Sequence, residues 1–209
     1  MLLSGGLDSA IIHGLLKELG RDVKTIHVEN HERDFAHLVS DQLIDVTLDD
    51  VSDEEAIRIH QSPVDLGSVK PQIAMARKLR ELGFYAVMTG DGADELFGGY
   101  RRAKEYDSQH SDTFAELPYY HLPKLDRTMM YSTIELRAPF LSPTIVKHAL
   151  NTPYHKRNGE KKVLKNTFAK IVPMEILNRD KHPLKTDQIR KDPVTQRNLN
   201  DRIFRKQMG

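Results

Sequence analysis

The stretch Ser4-Gly5-Gly6-Leu7-Asp8-Ser9 stands between an apolar triplet, Met1-Leu2-Leu3, and a segment with helical spacing, Ser9 to Leu19. Ile11, Ile12, Leu15, Leu16 and Leu19 share one helical face, and Gly20 follows as a stop signal. A strand that enters a helix through so short a glycine turn is the opening unit of a layered α/β fold. The same alternation continues. Lys24 to Glu29 and Leu43 to Leu48 read as strands, and Asp34 to Gln42 as a helix. Asp53 to His60 reads as a helix capped by Ser52. Pro71 to Leu82 reads as a helix with Pro71 at its start and Gly83 past its end, and Tyr85 to Thr89 reads as the next strand. Strands separated by helices of roughly ten residues predict a parallel sheet with right-handed crossovers.

Beyond Gly98 the strand signals fade. Leu125 to Ser132, Ser142 to Leu150 and Glu160 to Val172 read as helices. The expected organisation is a single domain over residues 1–209: an α/β part at 1–98, a helical part at 99–182 and a polar tail at 183–209. Composition narrows the partners. A formal net charge of +1 gives no basic field for a nucleic acid. The absence of cysteine excludes disulfides, thiolate metal sites and a cysteine nucleophile within these residues. No apolar run reaches membrane-spanning length, and Asp8 interrupts the apolar start, so neither a membrane span nor a signal peptide is expected. A cytoplasmic location is the expectation.

Two loops carry chemistry. In the first, glycines let backbone N–H groups approach a ligand, a helix N-terminus adds positive potential, and Ser4 and Ser9 add hydroxyls. That is an anion site. Asp8 beside a bound phosphate would repel it unless a cation joined them, which suggests Mg²⁺. The plainer alternative is a glycine turn with Asp8 and Ser9 capping the helix. The lack of Gly-Lys-Ser/Thr excludes a Walker A loop. The second loop, Thr89-Gly90-Asp91-Gly92-Ala93-Asp94-Glu95-Leu96-Phe97-Gly98-Gly99-Tyr100, follows a strand where parallel α/β folds place ligands. Asp91, Asp94 and Glu95 repel one another unless a metal or cationic group neutralises them. Asp94 and Glu95 also favour the N-terminus of a following helix.

SGGLDS resembles the signature of the PP-loop ATP pyrophosphatases, which cleave ATP to AMP and pyrophosphate. The second loop resembles the SGDGGDELFGGY loop of the asparagine synthetase class within that group. Leu125-Asp126-Arg127 through Glu135-Leu136-Arg137-Ala138-Pro139-Phe140-Leu141 resembles that class's DR and VPFLD segment. Gly159 to Lys165, Val172-Pro173 and Arg179-Asp180-Lys181 resemble its closing motifs. The likeness runs from Leu2 to about Lys185 and implies a PP-loop ATP pyrophosphatase fold, adenine-nucleotide α-hydrolase-like, with a mostly helical C-terminal lobe.

The resemblance also implies roles. Ser4, Gly5, Gly6, Asp8 and Ser9 would hold the phosphates of ATP, and Leu3, Val28, Thr89 and Gly90 would line the adenosine pocket. Asp8 and Asp94 would carry Mg²⁺. Lys181 would stabilise charge on the phosphates and adenylate, with Lys161 a second lysine on the pyrophosphate side. Asp91 would sit at the reacting acyl centre. Asp65 and Ser68, with Asp94 and Glu95, would lie near the acceptor substrate. The implied reaction adenylates a carboxylate, most simply aspartate, and passes ammonia to it to give asparagine.

Several features depart from the class. The matched stretch has no counterpart of its N-terminal glutaminase domain, so free ammonia, another amine, or a separate amidase or partner subunit is expected to supply nitrogen. Ser142 replaces the Asp after PFL, Lys165 replaces the Arg of LR, and Asp91 is one methylene shorter than Glu. Other readings are a related ligase acting on a different carboxylate or amine, a tRNA-modifying pyrophosphatase, and a non-catalytic adenylate-binding partner subunit. The ten histidines lack metal-ligand spacing and read as structural or surface groups. Arg101, Arg102 and Lys104 read as a solvated helix face.

Overall fold

The computed structural model describes residues 1–30, 32–100, 113–153, 161–179 and 204–207. Its first half alternates as the sequence predicts: α1 (Leu7–Glu18), β1 (Thr25–Val28), α2 (Arg33–Val39), β2 (Leu43–Val46), α3 (Asp53–His60), α4 (Leu66–Glu81) and β3 (Ala86–Met88). The short helix α5 (Ala93–Phe97) follows. After it come a π-helical turn at Leu117–His121, α6 (Leu122–Met130), β4 (Glu135–Arg137), and short helices at Pro143–Asn151, Lys162–Thr167 and Met174–Asn178. The protein is α/β, with small parallel sheets.

β1 and β2 pair in parallel, from Thr25 opposite Leu43 to Val28 opposite Val46. Leu2 makes a parallel bridge to Ile26, and its amide donates to the Met88 carbonyl, so the first residues lie between β1 and β3. β3 pairs with β4. The bonds from Glu135 N to Tyr85 O and from Thr89 N to Arg137 O climb both strands together, which is the parallel pattern. β4 is an addition to the predicted elements: three residues are too few for an alternation of period two to register.

The described residues divide into two units. The first takes the described residues of Met1–Val46, Val87–Leu122 and Leu136–Asp180. Its core packs Leu3, Ile11, Ala36, Leu96, Phe97, Phe140 and Ile176. Phe97 and Phe140 meet edge to face at 6.3 Å. Each of these buried leucine, isoleucine and phenylalanine side chains contributes about 1.5–3 kcal/mol relative to exposure.

The second unit takes the described residues of Thr47–Ala86, Pro123–Glu135 and Lys181–Gly209. Its core packs Val51, Ala56, Ile57, Leu66, Val69 and Ile73 from α3, α4 and their connections, and Phe204 packs against it. α3 has its predicted bounds because Ser52 Oγ accepts the Glu55 amide at 3.2 Å and so closes the first turn. α4 starts at Leu66, five residues before the expected start, and Pro71 lies inside it. The proline removes only the bond that its amide would give to Gly67. Of the predicted tail, residues 204–207 are described; they are helical, and Gln207 Nε2 donates to the Glu54 carbonyl at 3.1 Å.

His60 ends α3 buried, with its Nδ1 unpartnered among the described residues. Burial lowers its pKa; the positive charges of Arg127 and Lys124 lower it further, and Asp65 opposes them. The folded protein therefore keeps His60 neutral at a pH where the unfolded chain takes up a proton. Stability tied to this group is complete above the unfolded pKa, about 6.5, and is lost as pH falls below it. A melting curve recorded from about pH 7.5 to about pH 5.5 should shift to lower temperature, and His60→Asn should flatten that dependence. An unchanged slope in the variant would contradict the assignment.

Candidate functional site

The first unit builds its site from the loop after Leu3. Gly6 N donates to Ser4 Oγ at 3.2 Å, and Ser9 Oγ donates to the Gly6 carbonyl at 3.1 Å. Ser4 N donates to Ser9 Oγ at 3.3 Å, and the two hydroxyls lie 3.2 Å apart. The two serines thus lace the turn from inside. Gly5 has φ +78°, a conformation that disfavours any side chain. Asp8 falls in the first turn of α1, where a carboxylate complements the helix dipole.

The second loop lies directly on the first. A Cβ on Gly90 would stand 2.7 Å from Asp8 Cβ, closer than real carbon atoms approach, and a tight 3.1 Å from Ser9 N. Only glycine permits this contact, so Gly90→Ala must push the loops apart. We expect that variant to lose about 1–3 kcal/mol of stability, the usual cost of overpacking, measured by urea denaturation.

The close approach brings three charged groups together. Lys161 Nζ lies 2.6 Å from Asp8 Oδ1, 2.5 Å from Asp8 Oδ2 and 2.5 Å from Asp94 Oδ1. The lysine side chain is 7% exposed, and each aspartate 22%. Burial works to lower the lysine pKa, but the charges of Asp8 and Asp94 and their hydrogen bonds outweigh it. The net shift is upward, so the ammonium is held protonated. Lys161 itself has φ +59° at the start of helix Lys162–Thr167. A non-glycine residue in this left-handed region carries a conformational cost. Gly99 completes the enclosure: a Cβ there would run into the Asp94 carboxylate and meet Lys161 Cε at 2.5 Å.

The other predicted residues of this unit surround the two loops. Leu3 and Thr89 are buried, and Val28 is half-buried at the end of β1. The Thr89 hydroxyl is buried without a hydrogen-bond partner among the described residues. Asp91 is half-buried in the turn before α5, and Glu95 is buried within α5. Tyr100, at the end of the second loop, donates its hydroxyl to Glu95 Oε1 at 2.6 Å, a contact no sequence pattern marks. Burial, then Glu95, Asp94 and Asp91, push its pKa upward and keep the phenol protonated. His27 accords with the structural reading of the histidines: it is buried, and its Nδ1 donates to the Leu3 carbonyl at 2.8 Å. Lys181, Arg101, Arg102 and Lys104 lie outside the described residues.

Asp65 and Ser68 belong to the second unit. Asp65 caps α4 from the left-handed region at φ +57°, without a capping bond from its side chain. Instead its Oδ2 accepts from Ser68 Oγ at 2.5 Å and from Lys124 Nζ at 2.8 Å. Lys124 also donates to Ser68 Oγ at 3.0 Å, and its side chain is 8% exposed. No motif singles out this lysine. It stands 59 residues from Asp65 on α6, amid residues with ordinary helical spacing.

Among the described residues, no group of three or more His, Cys, Asp or Glu side chains is placed to hold a metal ion, and no helix is long and apolar enough to cross a membrane. The donors that converge are Asp8 and Asp94. Carboxylate oxygens suit a hard divalent cation that keeps water and phosphate oxygens as its other ligands.

Comparison with known proteins places these loops in a family. A family model described as asparagine synthase matches residues 1–118 and 105–207. Asparagine synthetase B (glutamine-hydrolyzing) of Escherichia coli K12 is 28% identical over 223 residues, covering 87% of this chain and 40% of that protein. A probable asparagine synthetase (glutamine-hydrolyzing) of Acanthamoeba polyphaga mimivirus is 27% identical, covering 86% and 38%. Asparagine synthetase (glutamine-hydrolyzing) 2 of Oryza sativa subsp. japonica is 25% identical, covering 87% and 37%. The chain thus spans about two fifths of the length of these relatives. Since the family model takes in both glycine loops and nearly all of the rest, the chain belongs to the asparagine synthase family.

Proposed function

We propose that this chain is an ATP-dependent amide-forming ligase with a PP-loop ATP pyrophosphatase fold, and that its simplest acceptor is aspartate. The observation that carries the reading is the convergence of Asp8 and Asp94, from two glycine loops, on one buried ammonium. A site for polyphosphate needs cationic charge, backbone N–H groups and close glycine approach in one place, and the first unit supplies them.

In this reading Ser4, Gly5, Gly6 and Ser9 bind phosphate oxygens by backbone N–H and hydroxyl groups. The Thr89 hydroxyl, buried and unpartnered among the described residues, faces the nucleoside together with Leu3, Val28 and Gly90. Lys161 and Lys181 offset the charge that gathers on the leaving pyrophosphate. Asp8 and Asp94 would hold Mg²⁺, which when bound neutralises and polarises the phosphates. The acceptor carboxylate oxygen forms a bond to the α-phosphorus as the bond to the β-phosphate oxygen breaks. Ammonia then attacks the acyl carbon, AMP leaves, and a carboxylate such as Asp91 takes the proton from nitrogen. The candidates for holding the acceptor are Asp94 and Glu95 in the first unit and, taken separately, Asp65 and Ser68 in the second. Free ammonia or a separate amidase supplies nitrogen, the reaction takes place in the cytoplasm, and neither a nucleic acid nor a membrane is a partner.

The test is the substrate dependence of AMP and pyrophosphate release from Mg-ATP, with aspartate and ammonium each present or omitted. Release that needs both, with asparagine as product, supports the reading. Release that needs some other acid retains the adenylating chemistry and removes aspartate. ATP binding without release under any combination would instead favour an adenylate-binding subunit.

A further inference from the structure

The nucleotide loop is fastened from behind by a residue outside both glycine motifs. Arg179 directly follows the helix Met174–Asn178 in extended backbone, with φ −73° and ψ 148°. Its Nη1 donates to the Gly5 carbonyl at 3.0 Å, across 174 residues of sequence. Its Nη2 pairs with the Glu32 carboxylate, and its Cζ stacks 4.2 Å from the Phe35 ring centroid. The Arg179 side chain is 12% exposed and that of Glu32 5%. One guanidinium thus meets a carbonyl, a buried carboxylate and an aromatic face together. An ammonium lacks the planar fork needed to do this.

The consequence follows from peptide geometry. A trans peptide is planar, and its C=O and N–H point in opposite directions. With the Gly5 carbonyl turned toward Arg179, the Gly6 N–H must point to the other side, and it donates there to Ser4 Oγ at 3.2 Å. A backbone anion site needs its N–H groups on the ligand side and its carbonyls away from it. Flipping this single peptide would replace a donor by a repelling acceptor. α2 blocks escape in another direction: a Cβ on Gly5 would stand 2.9 Å from Glu32 O and 3.1 Å from both Ala36 N and Phe35 Cβ.

We propose that Arg179 is a positioning residue for the phosphate-binding loop, holding the Gly5–Gly6 peptide in its anion-binding orientation through the Gly5 carbonyl. The inference rests on the nucleotide reading above and adds a residue that acts through the loop without touching the phosphates. It also gives Glu32 a role: the carboxylate holds the guanidinium at the angle that reaches Gly5.

Two probes test this by calorimetry with the full chain and Mg²⁺: α,β-methylene-ATP, which carries phosphates, and adenosine, which does not. The variants are Arg179→Lys, and Arg179→Met combined with Glu32→Gln. The double substitution removes both buried charges together, so neither is stranded. We expect affinity for α,β-methylene-ATP to fall about ten- to a hundredfold in both variants, the usual range for a lost hydrogen bond to a charged group, with adenosine binding unchanged. Millimolar ethylguanidinium should restore part of the loss in the double variant. Unchanged affinity for the analogue in both variants would overturn the proposal, and so would an equal fall for both probes. Failure of the unaltered protein to bind the analogue would overturn the nucleotide reading itself.

Discussion

Replacing Lys161 by methionine is expected to cost about 3 kcal/mol of stability, the low end of the range for breaking a buried ion pair by removing one partner. The low end applies because Asp8 and Asp94 each keep 22% of their side-chain surface in contact with water. Methionine preserves most of the packing volume, so the loss is electrostatic: the ammonium that bridges the two carboxylates is gone. For a chain of this size the melting temperature should fall by roughly 6–12 °C. Two controls separate charge from packing. Combining Lys161→Met with Asp94→Asn should recover part of the loss, because it removes the repulsion. Added Mg²⁺ should raise the melting temperature of Lys161→Met more than that of the unaltered protein, because the divalent cation occupies the position the ammonium has left. A Lys161→Met protein that melts within a degree or two of the original would contradict this description of the cluster.

The second large effect concerns turnover. Asp94→Asn keeps the shape and one acceptor oxygen but removes the charge. If Asp8 and Asp94 hold the cation that offsets charge on pyrophosphate, the rate of pyrophosphate release at saturating Mg-ATP should fall about 10²–10³-fold, the cost of removing one preorganised electrostatic group. Asp8→Asn should do the same. The two together should fall little further, because groups that act as a unit are not additive. Initial rates of pyrophosphate release measure this. A rate within threefold of the original in both single variants would take the cluster out of the chemistry.

What the sequence made legible follows the range of the physics involved. α3 was legible to the residue because its start is set locally, by Ser52 bonding three residues ahead. The strands around β1 and β2 were legible because each alternates over several residues. The start of α4 was misread because proline is a strong local signal. Asp65 begins the helix instead, in a backbone conformation that no propensity would assign to it. The charge balance of the first unit was half legible. Three acidic residues in one loop announced a missing cation, but the residue supplying it lies 153 positions from Asp8, and only the fold joins them. Lys124 was silent for the same reason, and Arg179 was visible only as part of the motif Arg179-Asp180-Lys181, with no sign of what it holds. Each acts on residues far away in sequence, Arg179 on Gly5 and Lys124 on Asp65. Long-range pairing of buried charge is what a single sequence carries least.

In the proposed function the two glycine loops form a site where ATP is cleaved between its α and β phosphates. The most direct measurement is the ratio of AMP to pyrophosphate released from Mg-ATP with the acceptor and ammonium present. It should be made on the unaltered chain and on an Asp8→Ala/Asp94→Ala variant confirmed as folded by its melting curve. Equal amounts of AMP and pyrophosphate are expected from the first protein and neither from the second. Release of ADP and inorganic phosphate, or equal rates from both proteins, would contradict it.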